Sequence, residues 1–302
     1  MCLVGRSRLI KINNGDKINN HTCERATPQQ YSPPRVQPED HTDIFIRHRS
    51  ALGLPGTPSG WFLTAPESQD LKEWEMRRYI TEFVGTFGLV LTVGCVVLGG
   101  SSLAPLAIGG VLAALVFAGG HISGAHYNPA VTVAVFLRGR VSGTDVLPYF
   151  GAQIVGGLLG GVAARTIVDP DSIEALSFSG REIAVALAGE FLFTFLLAYV
   201  VLNVATSQDH DDNSFYGLAT GFTVFAGASA VGSLSGAAFN PAVAIAASAI
   251  GLFSWSAIWI YLVANLAGGA LAALVFRLLN PEDLEPLHGH RDEGHAPAVP
   301  TS

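Results

Sequence analysis

A nine-residue pattern written twice constrains this chain more than any other feature. Ser123-Gly124-Ala125, two residues, then Asn128-Pro129-Ala130-Val131 returns 112 positions later as Ser235-Gly236-Ala237, two residues, then Asn240-Pro241-Ala242-Val243. The same offset carries Tyr149 onto Tyr261, Gln153 onto Asn265 and Gly156-Gly157 onto Gly268-Gly269. Upstream, Glu82-Phe83 and Thr86-Phe87 answer to Glu190-Phe191 and Thr194-Phe195 at an offset of 108, so the copies differ in length between those points. The chain is a duplication, with its copies at about 79–168 and 181–279.

The solvent follows from hydropathy. Of 302 residues only 14% are charged and the mean hydropathy is +0.40, whereas about a quarter of a soluble domain is charged. Apolar runs of roughly 18 to 24 residues fit a bilayer core about 30 Å thick at 1.5 Å per helical residue. Six spans are predicted, at about 79–98, 103–120, 145–168, 181–203, 214–232 and 255–279. Two further apolar segments, about 129–138 and 241–251, are long enough for only half a crossing. Each copy thus holds three spans and one half-span. An odd number of crossings turns the second copy upside down, and the half-spans enter from opposite faces. The expected fold is an all-α membrane protein with six transmembrane helices and two half-helices in an inverted repeat.

Residues 77–280 form the membrane domain. Residues 1–76, with Pro28, Pro33, Pro34, Pro38, Pro55, Pro58 and Pro66 among polar residues, are expected to be a disordered tail, and 281–302 a second polar tail. Met1 to Ile12 lacks the clean apolar stretch of a secretory signal. Arg77, Arg78, Arg138, Arg140 and Arg277 would lie on the side of the tails, and Arg165 and Arg181 opposite, which predicts cytoplasmic termini; a plasma or inner membrane is the expected location. A net charge of −7 argues against a nucleic-acid partner. Cys2, Cys23 and Cys95 give neither a disulfide framework nor ligand spacing, and His288, His290 and His295 read as a solvated tail. No metal or cofactor is expected.

Asn is a favoured N-cap and Pro is preorganised for the first helical position. Asn128-Pro129-Ala130 and Asn240-Pro241-Ala242 therefore start helices at mid-membrane from opposite sides, bringing together two N-termini of about +0.5 charge each. That focus repels cations, and the small alanines allow close approach. The Asn128 and Asn240 amides offer N–H donors to a passing water oxygen, whose hydrogens then point away along the pore and interrupt a proton wire. Non-helical backbone at this depth is tolerated only where it is packed by protein or lines a cavity.

Gly120-His121-Ile122-Ser123-Gly124-Ala125-His126-Tyr127-Asn128-Pro129-Ala130-Val131-Thr132 closely resembles the first signature of the major intrinsic protein family, the aquaporins and glycerol facilitators, and the resemblance extends over about 79–279. It implies an aquaporin-like bundle with one pore per subunit, assembled as a homotetramer in the lipid bilayer. It also implies that Glu82 and Glu190 accept hydrogen bonds from the two non-helical approaches, as scaffolds and not as a proton relay. The backbone carbonyls of Gly124, Ala125, His126, Gly236, Ala237 and Ala238 would line the pore. Counting by the family's spacing places the outer selectivity filter at Ile108, Ala228, Ala237 and Val243. There the sequence departs from its family: an arginine usually follows the second Asn-Pro-Ala, and here Val243 does, so all four filter positions are small or apolar. The glycines Gly156, Gly157, Gly160 and Gly161 serve helix packing.

The function expected is a passive channel for water or small neutral solutes. A glycerol or other uncharged-solute facilitator is the alternative, since Val243-Ala244-Ile245 fits neither subclass. A secondary transporter also uses inverted repeats, but here ionisable residues other than Glu82 and Glu190 stand only at span ends. An enzyme finds no nucleophile with a base, and His121 and His126 at i, i+5 do not share a helical face.

Overall fold

The computed structural model describes residues 68–170, 173–210 and 213–284, and the readings made on 1–67 and 285–302 lie outside these. The described residues form eight α-helices: α1 (Ser68–Leu98), α2 (Ala104–Ser123), α3 (Pro129–Arg138), α4 (Gly143–Val168), α5 (Arg181–Thr206), α6 (Tyr216–Ser235), α7 (Pro241–Ala249) and α8 (Ile258–Leu279). Six elements are long and apolar enough to span a membrane: Glu73–Leu98, Ala104–Ser123, Gly143–Val168, Arg181–Thr206, Tyr216–Ser235 and Trp255–Leu279. The protein is an all-helical, six-span membrane protein, with α3 and α7 as the short pieces.

Helix α1 begins about ten residues ahead of its predicted apolar span. Nothing between Ser68 and Val84 is Gly or Pro, and Leu71, Lys72, Glu73, Glu75, Met76 and the two arginines favour helix. Hydropathy marks where a helix becomes greasy, not where it starts. The extension is tied down at its far end. Arg78 Nη1 and Tyr79 OH donate to Asp145 of α4 at 2.8 Å each, and Arg78 Nε donates to Tyr149 OH at 2.9 Å.

Packing repeats with the sequence. In each copy the first full span lies against the third, α1 on α4 and α5 on α8, while α2 and α6 cross between the copies. Gly109 and Gly221, themselves 112 positions apart, mark that crossing. A Cβ on Gly109 would sit 2.5 Å from Gly221 O, and one on Gly221 would run into Gly109 O. On α4, a Cβ on Gly156 or Gly160 would strike the α1 carbonyls of Phe83 or Phe87, so these glycines do permit close helix contact.

Each half-helix packs chiefly on the third span of the other copy, α3 on α8 and α7 on α4. Gly269 makes room for Ala130 O, and Gly157 for Ala242 O. The half-helix C-termini are met in the same crossed way: Arg277 Nη1 of α8 donates to Leu137 O (2.9 Å), and Arg165 Nη1 of α4 donates to Ile250 O. Both arginines place positive charge at the negative end of a helix dipole.

The chain after 280 does not leave the fold at once. Glu282–Leu284 forms a 3₁₀ turn, and Asp283 is buried. Arg138 donates to Asp283 O (2.8 Å) and Thr206 O (3.0 Å), lies 3.3 Å from Asp283 Oδ1 and covers the Phe276 ring at 4.8 Å. Gln208 N also donates to Asp283 Oδ1. The junction thus locks α3, the α5–α6 connection and the end of α8 together.

Candidate functional site

The tips of α3 and α7 meet, and the geometry there is duplicated to a tenth of an ångström. Asn128 and Asn240 have extended backbones, with φ of −157° each, and their Oδ1 atoms accept from Ala130 N and Ala242 N at 2.9 Å. Each amide also reaches across the repeat: Asn128 Nδ2 donates to Phe239 O, and Asn240 Nδ2 to Tyr127 O, both at 2.8 Å. Sequence reasoning anticipated the caps and missed these cross-links. One amide hydrogen per asparagine is therefore already used, and one remains available to donate.

The approaches to the tips are held in costly backbone. Ala125, Tyr127, Ala237 and Phe239 all have φ near +50°, in the left-handed region that side chains with a Cβ rarely adopt. Such conformations persist where the surroundings over-determine them, and here two buried glutamates do so. Glu82 accepts from His126 N (2.9 Å), Tyr127 N (2.6 Å), Ser123 Oγ (2.7 Å) and Gln153 Nε2 (2.8 Å). Glu190 accepts from Ala238 N (3.0 Å), Phe239 N (2.8 Å) and Ser235 Oγ (2.8 Å). With its amide oriented to suit its neighbours, Asn265 adds a donor to Glu190 Oε2 at 3.1 Å and accepts from Asn240 N at 2.9 Å. Gln153, one methylene longer than Asn265, does not repeat that last contact, and its buried Oε1 has no partner among the described residues. Tyr149 OH and Tyr261 OH complete the cradle by donating to Ser123 O and Ser235 O, each at 2.7 Å.

In contrast, the carbonyls of Gly124, Ala125, His126, Gly236, Ala237 and Ala238 receive no hydrogen bond from the described residues. Their residues border two cavities. One, of about 450 Å³, opens on the face opposite the start of α1 and the end of α8 and is lined by Ile108, Ala228, Ala237 and Val243, together with Asn128 and Asn240. The other, of about 630 Å³, lies toward the face where α1 begins and α8 ends, and includes Arg78, Gly124, Arg140 and His210. Ala125, His126, Val201 and Thr220 line both, so the cavities abut beside the half-helix tips. All four positions counted as a filter are thus brought to one cavity. The segment 173–178 was not anticipated as part of its wall. It returns over α7 through Leu176 N to Leu252 O (2.8 Å) and Ser254 N to Leu176 O (2.9 Å), bonds between backbone groups that leave no side-chain signature.

His126 sits between the cavities with its Nδ1 3.1 Å from Thr132 Oγ1. Thr132 Oγ1 donates to Asn128 O and accepts from Gln153 Nε2, at 3.1 and 3.0 Å. The hydroxyl proton being used, the network assigns the hydrogen between them to His126 Nδ1 and leaves Nε2 as an acceptor.

Two inverted halves, each three and a half spans long and closed on one another through their half-helix tips, make the fold of a transmembrane channel protein. Comparison with known proteins narrows this. Residues 68–276 match the family described as Major intrinsic protein, and the chain belongs to that family. The "Glycerol uptake facilitator protein-like 6" of Lactiplantibacillus plantarum is 36% identical over 217 residues, 69% of this chain and 100% of that one. "Aquaporin NIP1-3" of Oryza sativa subsp. japonica is 33% identical over 218 residues, 68% of this chain and 75% of that one. Among solved structures, the aquaglyceroporin from Plasmodium falciparum is similar in fold, with a TM-score of 0.60 at 20% identity, covering 69% of this chain and 98% of that one.

Proposed function

We propose that the protein is a passive transmembrane channel for water and small uncharged solutes, which excludes ions at Asn128-Pro129-Ala130 and Asn240-Pro241-Ala242. The observation that carries this reading is the pair of half-helix N-termini meeting where two cavities from opposite faces abut, with one hydrogen of each asparagine amide still to donate. Names of relatives on both sides of the family's divide, a glycerol uptake facilitator and an aquaporin, support the substrate class without choosing within it. The unbonded carbonyls of the two approaches would relay a solute to the tips, and Ile108, Ala228, Ala237 and Val243 would form an outer filter with no side-chain donor. A secondary transporter is disfavoured because Glu82 and Glu190, the carboxylates within the spans, are fully occupied by their own approaches. No reaction is assigned to the protein. We read it as a homotetramer of pores with cytoplasmic termini, in a plasma or inner membrane.

Stopped-flow light scattering on proteoliposomes tests the reading, with water, glycerol and urea compared. Water flux above that of protein-free vesicles, with a low activation energy and no saturation, is expected; saturating, ion-dependent flux would favour the transporter. Mercurials should inhibit poorly. The family's usual pore-side thiol position is Ala237, and Cys95 of α1 is half-buried and lines neither cavity. Strong reversible block that Cys95→Ser abolishes would put the Cys95 face of α1 at the pore wall, beside the Leu89, Val93 and Val97 that already line it.

A further inference from the structure

The two copies have not kept the same side chains around the tips, and the difference falls on one side. At the 112-residue offset, His126, Tyr127 and Thr132 of the first copy stand against Ala238, Phe239 and Ala244 of the second. The cavity that the second copy approaches is accordingly walled by alkyl and aromatic groups, with Leu176 and Phe253 added to the four filter positions. That wall is fixed: Phe253 stacks on Tyr261 with ring centroids 4.6 Å apart and planes parallel to 1°.

Donors are scarce along it. Glu174 and Ser233 line the cavity as exposed groups outside the four filter positions, and of the two only the Ser233 hydroxyl is a ready donor. Thr220 already donates to Tyr216 O at 2.9 Å. A molecule crossing Ile108, Ala228, Ala237 and Val243 therefore meets methyl groups and acceptor carbonyls, and finds its next side-chain donors at Asn128 and Asn240. A polar oxygen that needs a donor goes unmet there, whereas an O–H or N–H can still be given to a carbonyl and an alkyl flank matches the wall.

We propose that this channel selects uncharged solutes carrying an alkyl flank beside a hydroxyl or amide, that is, short alcohols, diols and N-alkyl amides, over solutes of the same size that are polar all round. The proposal rests on the channel reading above and adds an order among solutes. It is the reverse of what a filter with a guanidinium donor would impose.

The test pairs glycerol with propane-1,2-diol, in which a methyl replaces one hydroxymethyl, and urea with N-methylurea. Re-swelling rates are taken as the increment over protein-free vesicles, which removes passage through lipid. The expected increment per channel is at least about fivefold larger for the alkyl member of each pair, the worth of one unmet hydrogen bond. Ala228→Asn, whose amide keeps one N–H to offer even when the other bonds the preceding turn, should narrow that ratio. Val243→Arg, if it folds, should slow the larger solutes much more than water and bring the ratio to one or below. Equal increments, or faster glycerol and urea, in vesicles that conduct water would overturn the selectivity while leaving the channel reading intact. No increment for any solute or for water would remove the channel reading, and this proposal with it.

Discussion

Planar bilayers containing Asn128→Asp or Asn240→Asp should carry Na⁺ or K⁺ current where the wild type carries none. The aspartate keeps the oxygen that caps Ala130 N or Ala242 N but loses the donor that reaches Phe239 O or Tyr127 O. A full negative charge then stands beside two helix ends of about +0.5 each, which removes the net positive focus. At about 4 Å and an effective dielectric near 20, one unit charge is worth about 4 kcal/mol to a passing cation, roughly a thousandfold in rate. Opening the cross-link could itself leak, so Asn128→Ala is the control. It loses the same bond without adding charge and should conduct far less. Wild-type currents from both folded aspartate variants would mean that the cation barrier lies elsewhere.

Removing the charge from either glutamate should have a comparably large effect, on folding and not on selectivity. Glu82 accepts from four donors, and Glu190 from three plus the Asn265 amide. Glu82→Gln or Glu190→Gln points an NH₂ at groups that are themselves donors, inside a fully buried site. Each buried donor left unmet costs about 1 to 3 kcal/mol, a large fraction of a typical folding free energy. We expect loss of a monodisperse peak in detergent size-exclusion and a marked fall in thermal stability. A proton relay predicts something different: a well-folded glutamine variant with ordinary water flux and altered proton permeability would reinstate it.

How much of this could be read from the sequence depends on which groups make each bond. The half-helices start at Pro129 and Pro241, as Asn-Pro dictates, and α3 ends at Arg138 where the apolar run ends. Apart from the start of α1, span positions followed from hydropathy within a few residues, because length and apolarity are what a bilayer demands. The glutamate cradles were legible only through the resemblance, since nothing in Glu82-Phe83 says which amides it will meet. Several of the contacts that escaped end on backbone carbonyls. Arg165 and Arg277 are visibly related at 112 residues, yet their acceptors, Ile250 O and Leu137 O, belong to no residue type. Asp283 lies in a polar segment without periodicity, and only the fold shows that Arg138 needs it.

The crossed contacts also set a timetable for synthesis. Helix α3 is made early, but Phe239 O, which receives Asn128, the Arg277 that caps Leu137, and the Thr206 and Asp283 that receive Arg138 all follow it on the ribosome. Until the last span is in place, the first re-entrant segment would carry bare polar groups into hydrocarbon, each costing several kcal/mol. The first half therefore gains nothing by burying residues 124–138 at full depth on its own. A chain cut short of the final helix is therefore expected to leave the first re-entrant segment without its full set of partners, so that completion of the site depends on the last helix made.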